Sequence, residues 1–510
     1  MINKIKLFLN KYIKSSIFIL GIFSSFGFAP LHIFPITILS YLAVIFIFKN
    51  KNINNTKVFI YSFIYGLGNH IGLLYWISIS FETAQAGGYI AGVLAVFILC
   101  SFLSIFIAIP FYLLFTFKIK KESIIFGLLF IFIFTLFDWL KGNILWGFPW
   151  IPISGIWGFS RNTLYPFSVF GVWGYSVITF SLIISFYYSF SDLKKFFLFS
   201  APFLFMVLIL PNIYKYKEES YETLNIRLVQ PNIKQEDKWD SSKFIVNNNK
   251  VTSLLTKKNY EDKDLIILPE TTINFNIKKL NISPHAENFQ LNNLSNLLIG
   301  AVRVEKVENN IEVFNSMYMK KKNYSDYLYY DKIKLVPFGE FIPFRHLLRL
   351  NKLTSGSLDF TAGEEIKIFT ISKKLKILPL ICYEVIFPDL ISNLDDDFNI
   401  IVNITNDAWY RKSSGPYQHF SLARIRAVME GVTLIRVANT GISGIIESNG
   451  TISSSLNLGS EGIIDKKLNI KRVYTLYSLY RESIFHFIML TLLFLICISF
   501  FYNIRKKKLN

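Results

Sequence analysis

The chain has 510 residues, of which 52% are hydrophobic and 51 are phenylalanine, and its formal net charge is +19. This composition is too apolar for a soluble protein and indicates membrane-spanning segments. The positive charge does not favour nucleic-acid binding, because the basic residues cluster between apolar segments, as membrane topology requires.

Apolar segments dominate the first 212 residues. The lysine-rich start and the run after it are expected to form an uncleaved first helix, because no small-residue cleavage site is evident and further spans follow at once. Each segment is about long enough to cross a hydrocarbon core of roughly 30 Å. The seven expected spans are Ser15–Ala29, Ile33–Phe48, Val58–Ile79, Gly88–Phe117, Ser123–Trp139, Pro166–Phe190 and Phe196–Leu210.

Lysines alternate between the connections that join these spans. They gather between spans two and three, four and five, and six and seven. The positive-inside rule therefore predicts a cytoplasmic N-terminus and an outer location for the chain after Leu210. An eighth apolar span, Ile484–Tyr502, is followed by a basic tail, which predicts a cytoplasmic C-terminus as well.

The connection 138–166 is rich in Trp, Gly and Pro and is expected on the outer side. Aromatic residues at a membrane interface are ordinary anchors. The alternative is a lip where a lipid or an acylated substrate enters. The sequence leaves both interpretations open.

From about Tyr221 to Arg472 the chain becomes polar and alternates strands with helices. The expected strands lie in NIRLVQPN, DLIILPE, NLLIGAV, ILPLICYE and FNIIVNITND. This alternation predicts one α/β domain of about 250 residues with helices covering a sheet. The expected domain limits are 1–212 for the first membrane part, 221–472 for the α/β domain, 484–502 for the last helix and 503–510 for the basic tail.

One of the three cysteines, Cys382, lies in the polar part of the chain, and the other two lie in apolar segments. A disulfide within the polar domain is therefore excluded. Cys382 ends the apolar run of ILPLICYEVIFPDL, which we expect to be a buried strand. A cysteine there is either a small buried hydrophobe or a nucleophile held by a rigid element, and this stretch alone favours the first.

Two further strand ends carry groups that can serve a cysteine nucleophile. Glu270 follows the apolar strand of DLIILPE, and YDKIKLVPFGEFIPF contains Lys332 and Glu340. A thiolate is the attacking species, so Cys382 needs a base or a positive charge nearby. Glu270 can accept its proton, and Lys332 can stabilise the oxyanion of each tetrahedral intermediate. If the strand runs through Cys382, Glu384 shares its face.

Together these motifs resemble the carbon–nitrogen hydrolase (nitrilase) superfamily, whose signature is a Glu, a Lys and a Cys at three such strand ends. With the apolar segments, the nearer resemblance is to its membrane-bound apolipoprotein N-acyltransferase family. The matching stretches are QPNIKQEDKWD, LPE, YDKIKLVPFGEFIPF, ICYE, NITNDAWY, GPYQHFSLARIRAVMEG and, in the membrane part, GFPW. Asp138 and Lys141 stand where this family tends to have Glu and Arg, and Tyr410 stands where Phe is usual.

This resemblance implies a polytopic α-helical membrane part and an extracytoplasmic α/β domain with the nitrilase αββα sandwich. It also implies a reaction in which Cys382 takes an acyl chain from a phospholipid as a thioester. The α-amino group of a diacylglyceryl-apolipoprotein then accepts the chain as an amide. The expected catalytic residues are Glu270, Lys332 and Cys382, with no metal or other cofactor.

The resemblance further implies supporting or substrate-binding residues, which are Trp239, Glu340, Tyr383, Glu384 and Trp150. The expected location is the bacterial inner membrane, with the catalytic domain on the periplasmic side. The expected partners are a phospholipid donor, a lipoprotein acceptor and the bilayer, without nucleic acid.

Alternatives remain open. A membrane-tethered amidase or nitrilase would use the same three residues with water as the acceptor. A non-catalytic transport or lipid-binding protein would carry a degenerate domain that is free to lose them. Within catalysis, a papain-like pair would use His419, His346 or His285, although the available Glu and Lys favour a packing or hydrogen-bonding role for His419.

Overall fold

The computed structural model describes residues 12–50, 53–117, 119–213, 216–273, 295–308, 310–322, 324, 326–345, 352–354, 358–392, 394 and 397–509. The chain forms two compact units. The helical unit comprises Met1–Trp76, Val93–Lys215 and Leu476–Asn510. The sheet unit comprises Ile77–Gly92 and Tyr216–Thr475, so it includes a short segment from between two apolar helices.

The α-helices follow the apolar segments of the sequence and a few polar ones. They are α1 (Ile13–Ser24), α2 (Phe34–Asn50), α3 (Asn55–Leu74), α4 (Ile77–Thr83), α5 (Gly88–Thr116), α6 (Ile124–Asn143), α7 (Arg161–Leu164), α8 (Phe167–Ser189), α9 (Leu193–Leu204), α10 (Leu210–Ile213), α11 (Gln235–Lys238), α12 (Phe244–Leu255), α13 (Ser414–Glu430), α14 (Leu476–Tyr480) and α15 (Ser483–Leu509). A π-helical turn, Phe205–Ile209, joins α9 to α10.

Among the residues that the structure describes, five helical stretches are long and apolar enough to cross a membrane, as in a membrane protein. They are Gly88–Thr116, Ile124–Asn143, Phe167–Ser189, Leu193–Ile213 and Ser483–Tyr502. The pair Asn55–Leu74 and Ile77–Thr83 meets the same criteria only as one bent span, and Ile13–Gly27 and Phe34–Lys49 are shorter apolar helices. All eight expected spans thus fall on apolar helices, and their number as membrane crossings stays a prediction.

Helix α8 is the centre of the helical unit. Its apolar stretch is 94% buried, against 17% for that of α15, so α15 exposes the side chains that a lipid would surround. Asp138 on α6 joins this centre to the Trp-rich connection. Its carboxylate accepts hydrogen bonds from the Lys141 ammonium at 2.9 Å, the Ile153 backbone N–H at 3.0 Å and the Ser176 hydroxyl at 3.1 Å.

The described residues of the sheet unit form two six-stranded sheets. The first has the order β12-β1-β2-β3-β4-β5 and the second the order β11-β10-β9-β8-β7-β6. The strands are β1 (Glu218–Gln230), β2 (Leu265–Ile267), β3 (Asn296–Val307), β4 (Asn310–Lys320), β5 (Tyr327–Asp331), β6 (Phe369–Ser372), β7 (Leu375–Ile381), β8 (Ile400–Thr405), β9 (Thr433–Ala438), β10 (Ser443–Ile446), β11 (Ile452–Leu456) and β12 (Gly462–Val473).

The pleat of β2 shows how the layers are stacked. Leu265 and Ile267 point into a core that both sheets share, whereas Ile266 points into a second core that α12 covers. Helix α13 packs against β9 of the other sheet. The predicted αββα sandwich is therefore confirmed.

The parallel strands of the two sheets bring candidate groups to their carboxyl ends. Strands β1, β2 and β3 run parallel in the first sheet, and β7, β8 and β9 run parallel in the second. Glu270 follows β2 and Cys382 follows β7 at once. Because ligands bind beyond the carboxyl ends of parallel strands, these positions mark the edge where a site is expected.

Candidate active site

Cys382 occupies a sharp turn from strand to helix. Strand β7 ends at Ile381, and Cys382 opens a 3₁₀ turn that ends at Ile386. The backbone of Cys382 has φ 52°, a left-handed conformation that costs a residue with a Cβ atom about 1–3 kcal/mol. Such strain persists only where the surroundings hold it. Cys382 is partly buried, packed against the core that the two sheets share.

A cluster of buried charges lies at the end of β5. Lys332 is 1% exposed, and its ammonium lies 2.8 Å from a carboxylate oxygen of Glu340 and 3.8 Å from one of Glu270. The side-chain amide of Asn315 on β4 donates to Glu270 at 2.7 Å and to Glu340 at 3.0 Å. One ammonium and one amide thus hold two carboxylates in fixed positions, which preorganises the cluster.

The charges of this cluster act on each other and on the thiol. Burial opposes the charge on Lys332, but Glu340 and Glu270 outweigh it and hold the pKa of the ammonium above its ordinary value. Burial and Glu270 raise the pKa of the Cys382 thiol, whereas Lys332 lowers it. The resting residue is therefore a thiol, and a nearby base has to take its proton before it attacks.

Glu384 forms hydrogen bonds with residues at the ends of both β5 and β7. The side chain is fully buried, and its carboxylate accepts from the Ile381 N–H at 2.7 Å, the Ile333 N–H at 2.7 Å and the Tyr330 hydroxyl at 2.8 Å. Burial raises its pKa to about 7, against the lowering effect of these hydrogen bonds. Since β7 stops at Ile381, the conditional prediction that Glu384 shares a strand face with Cys382 does not apply.

Comparisons with known proteins assign both halves of the chain. Residues 20–185 match the family model described as "Apolipoprotein N-acyltransferase N-terminal domain", and residues 225–477 match the model described as "Carbon-nitrogen hydrolase". A Rickettsia prowazekii protein named apolipoprotein N-acyltransferase is 34% identical over 90% of this chain and 93% of its own. The chain belongs to the apolipoprotein N-acyltransferase family. The predicted membership and the prediction of an acyltransferase enzyme are confirmed.

Further relatives extend the match over nearly the whole length. The apolipoprotein N-acyltransferase of Rickettsia typhi is 33% identical over 90% of this chain and 94% of its own. That of Haemophilus influenzae is 29% identical over 98% of this chain and 97% of its own. The similarity to these acyltransferases therefore extends over both the apolar helices and the sheet unit.

Three of the residues predicted to support the site or bind substrate lie in different settings. Trp239 follows α11 and is 36% exposed, so its ring is available to a ligand. Tyr383 is buried next to Cys382, with its ring 4.8 Å from that of Phe387. Trp150 belongs to the helical unit, where its ring lies 5.1 Å from that of Trp76.

Two residues of the cluster were missed by sequence reasoning. Asn315 lies on β4, and its only signal was an amide in an otherwise apolar stretch. Lys238 is buried next to Trp239 in QEDKWD, and its ammonium donates to the backbone carbonyl of Glu270 at 3.0 Å. Burial lowers the pKa of Lys238 to about 8, against Glu270 and Cys382, which raise it.

His419, the histidine considered as an alternative base, contacts the backbone of Cys382. Nε2 of His419 lies 3.1 Å from the backbone carbonyl oxygen of Cys382, and Nδ1 lies 2.9 Å from Asp407. Both ring nitrogens thus contact an oxygen atom, one from a carboxylate and one from a backbone carbonyl. His285 and His346, the other two histidines considered, lie outside the described residues.

Proposed function

We propose that this acyltransferase moves an acyl chain from a membrane phospholipid to the N-terminal diacylglyceryl-cysteine of apolipoproteins, through a thioester on Cys382. The product is the mature triacylated lipoprotein. The observation that carries the proposal is the buried cluster of Glu270, Lys332 and Glu340, whose charges act on the thiol of Cys382 at a strained strand end. Family membership supplies the reaction class.

In the first half-reaction Glu270 takes the thiol proton and Cys382 attacks an ester carbonyl of the phospholipid. Lys332 stabilises the oxyanion, because its ammonium is charged and already held in place. When the intermediate collapses, the C–O bond to glycerol breaks, Glu270 returns the proton to the leaving alkoxide, and a lysophospholipid departs. The acyl chain remains on Cys382 as a thioester.

In the second half-reaction the α-amino group of the lipoprotein attacks the thioester. Glu270 accepts a proton from the amine, Lys332 stabilises the second oxyanion, and the C–S bond breaks. Cys382 regains its proton as the amide is released. A site screened from water favours this amine over hydrolysis.

We assign the same protein to the bacterial inner membrane, with eight crossings, periplasmic catalytic residues and cytoplasmic termini. Its relatives are bacterial. The proposed limits are 1–212 and 484–502 for the membrane parts, 221–472 for the catalytic domain and 503–510 for the basic tail. The support is the alternation of lysines between apolar segments.

The acyl acceptor distinguishes this function from hydrolysis. Purified protein given phospholipid alone is expected to gain the mass of one acyl chain on Cys382, with slow release of fatty acid. Adding a peptide with an N-terminal diacylglyceryl-cysteine should discharge the thioester and leave an amide on the peptide. Mass spectrometry of the intact protein and of the peptide reads both steps.

The matched control is Cys382→Ala, which should acquire no acyl group. Fatty acid released equally fast with and without the peptide, and no acylated peptide, would identify a membrane-tethered amidase or hydrolase instead.

A further inference from the structure

Two side chains contact the backbone carbonyl of Cys382. Its carbonyl oxygen accepts a hydrogen bond from Nδ2 of Asn403 at 3.2 Å and lies 3.1 Å from Nε2 of His419. A carbonyl oxygen can only accept, so Nε2 carries a proton and donates it to this oxygen. Asn403 and His419 come from β8 and α13, the next strand and helix after the turn at Cys382.

The two donors are themselves fixed by a buried ion pair. Nη2 of Arg436 donates to Asp407 at 2.8 Å and Nη1 donates to Oδ1 of Asn403, while Asp407 lies 2.9 Å from Nδ1 of His419. Asn403, Asp407 and Arg436 are fully buried, and His419 is 2% exposed. These four side chains, which we call the carbonyl clamp, form a buried hydrogen-bonded network.

The clamp meets a specific need of the turn. Cys382 has a left-handed backbone with φ 52°, which its neighbours have to enforce. The orientation of its carbonyl fixes the plane of the next peptide and, with it, the direction in which the Cα–Cβ bond points. A small error in that direction would move Sγ relative to the base and the oxyanion donor.

We propose that His419 and Asn403 are positioning residues that hold the Cys382 peptide in its strained turn and so aim Sγ for attack. The proposal rests on the proposed function, because it takes Cys382 as the nucleophile. His419 then acts through the backbone and not as the base of a papain-like pair. This role requires only the proton on Nε2, since Nη2 of Arg436 also lies 3.0 Å from Nδ1. Burial and Arg436 lower the pKa of His419, against the raising effect of Asp407.

A matched pair of substitutions tests the clamp. His419→Gln keeps an N–H donor at a similar reach, whereas His419→Met has a similar length and no donor. We expect His419→Met to lower kcat for thioester formation by about 10- to 100-fold, as misplacement of a reacting atom does, with the KM for phospholipid within about twofold. His419→Gln is expected to recover most of the lost rate.

Asn403→Ala is the second test, because it removes the other donor while Arg436 keeps its ion pair with Asp407. The same fall in kcat is expected, with phospholipid KM unchanged. If His419→Met fails to fold, as judged by its thermal unfolding transition, Asn403→Ala decides the question by itself.

Two results would overturn the clamp. One is wild-type kcat in both His419→Met and Asn403→Ala. The other is equal loss in His419→Gln and His419→Met that follows the loss of folded protein, which would make the histidine structural only. Both differ from failure of the proposed function, which would appear as acyl transfer retained by Cys382→Ala.

Discussion

At the scale of single residues, opposite charges act on the thiol of Cys382. Glu270 raises its pKa and Lys332 lowers it. Removing each charge should therefore shift the pH dependence of alkylation in opposite directions. Glu270→Gln is expected to let iodoacetamide label Cys382 at lower pH than in the wild type, and Lys332→Met only at higher pH.

Peptide-level mass spectrometry would measure this labelling and separate Cys382 from Cys100 and Cys497. The measurement needs no acyl substrate, so it reports the electrostatics of the resting site. Shifts of the same sign in both variants would show that the two charges do not act on the thiol as described.

The nucleophile itself gives a second prediction. Cys382→Ala should abolish acyl transfer, by at least about a thousandfold, because the thioester cannot form. The fold should survive, since the change is small and Cys382 forms no disulfide. Cys382→Ser is expected to be nearly as inactive, because a hydroxyl ionises far less readily than a thiol. Turnover with fluorescent phospholipid and the thermal unfolding temperature check both statements.

The third prediction separates the base from the histidine. Glu270→Gln and Lys332→Met should each lower kcat by about 10²- to 10⁴-fold without unfolding the protein. His419→Ala should keep measurable chemistry, because Nε2 of His419 lies 3.1 Å from the backbone carbonyl oxygen of Cys382 and is not the proposed base. An active Glu270→Gln beside an inactive His419→Ala would reverse the assignment of the base.

At the scale of elements, a close approach of β3 fixes the segment that carries Glu270. A Cβ atom on Gly300 would lie 2.5 Å from the Pro269 carbonyl oxygen and 2.6 Å from the Glu270 Cα atom. Both are backbone atoms, which cannot turn away as a flexible side chain can. The absence of a side chain at Gly300 therefore lets β3 approach the backbone that carries Glu270, the proposed base.

Gly300→Ala tests this contact. The added Cβ should destabilise the protein by about 1–3 kcal/mol, because it forces the backbone at Pro269 and Glu270 to move. The resulting displacement of the Glu270 carboxylate should lower kcat at least about tenfold. Gly462→Ala is the matched control in the same sheet, since its Cβ would approach only the Leu456 side chain, at 3.3 Å. Unfolding and turnover are measured in both. Equal effects in the two variants would contradict the special role of Gly300.

The strand ends explain how much of the site could be predicted. Glu270 and Cys382 each follow an apolar strand, and composition locates such strands without knowledge of their order in the sheet. Lys332 follows β5, which composition does not mark, and its selection depended on the family motif. Asn315 and Lys238 could not be found this way, because their partners are set by the pairing of β4 with β5 and by the return of the chain near Glu270. The turn at Cys382 likewise depends on donors from β8 and α13.

At the scale of the whole molecule, composition and the alternation of strands with helices were enough to predict apolar helices and an α/β domain, and the family resemblance implied the two-sheet sandwich. It could not predict that Ile77–Gly92 joins the sheet unit, because that segment looks like the end of one span and the start of another. Within this unit Glu82 pairs with Arg411 at 3.2 Å, and Arg411 also pairs with Glu236 at 3.0 Å. Long-range ion pairs of this kind leave no local pattern in the sequence.

The orientation in the membrane is the prediction at this scale. Reporter fusions at Lys250 and Asn510 should lie on opposite sides, with Lys250 outside and Asn510 in the cytoplasm. The reason is the lysine alternation between spans and the basic tail after Tyr502. Two cytoplasmic signals would mean that the number of crossings before Tyr221 differs by one from the predicted seven.

The sheet unit is built from two separate segments of the chain, which limits where the enzyme can be divided into fragments. The chain enters and leaves this unit twice. Four covalent junctions therefore join it to the helical unit, after Trp76, Gly92, Lys215 and Thr475. A fragment that begins at Tyr216 would lack Glu82 and leave Arg411 with one fewer acidic partner. Proteolysis at one junction would still leave three covalent connections between the two units. Efforts to isolate a soluble catalytic piece should therefore supply 77–92 separately or by fusion.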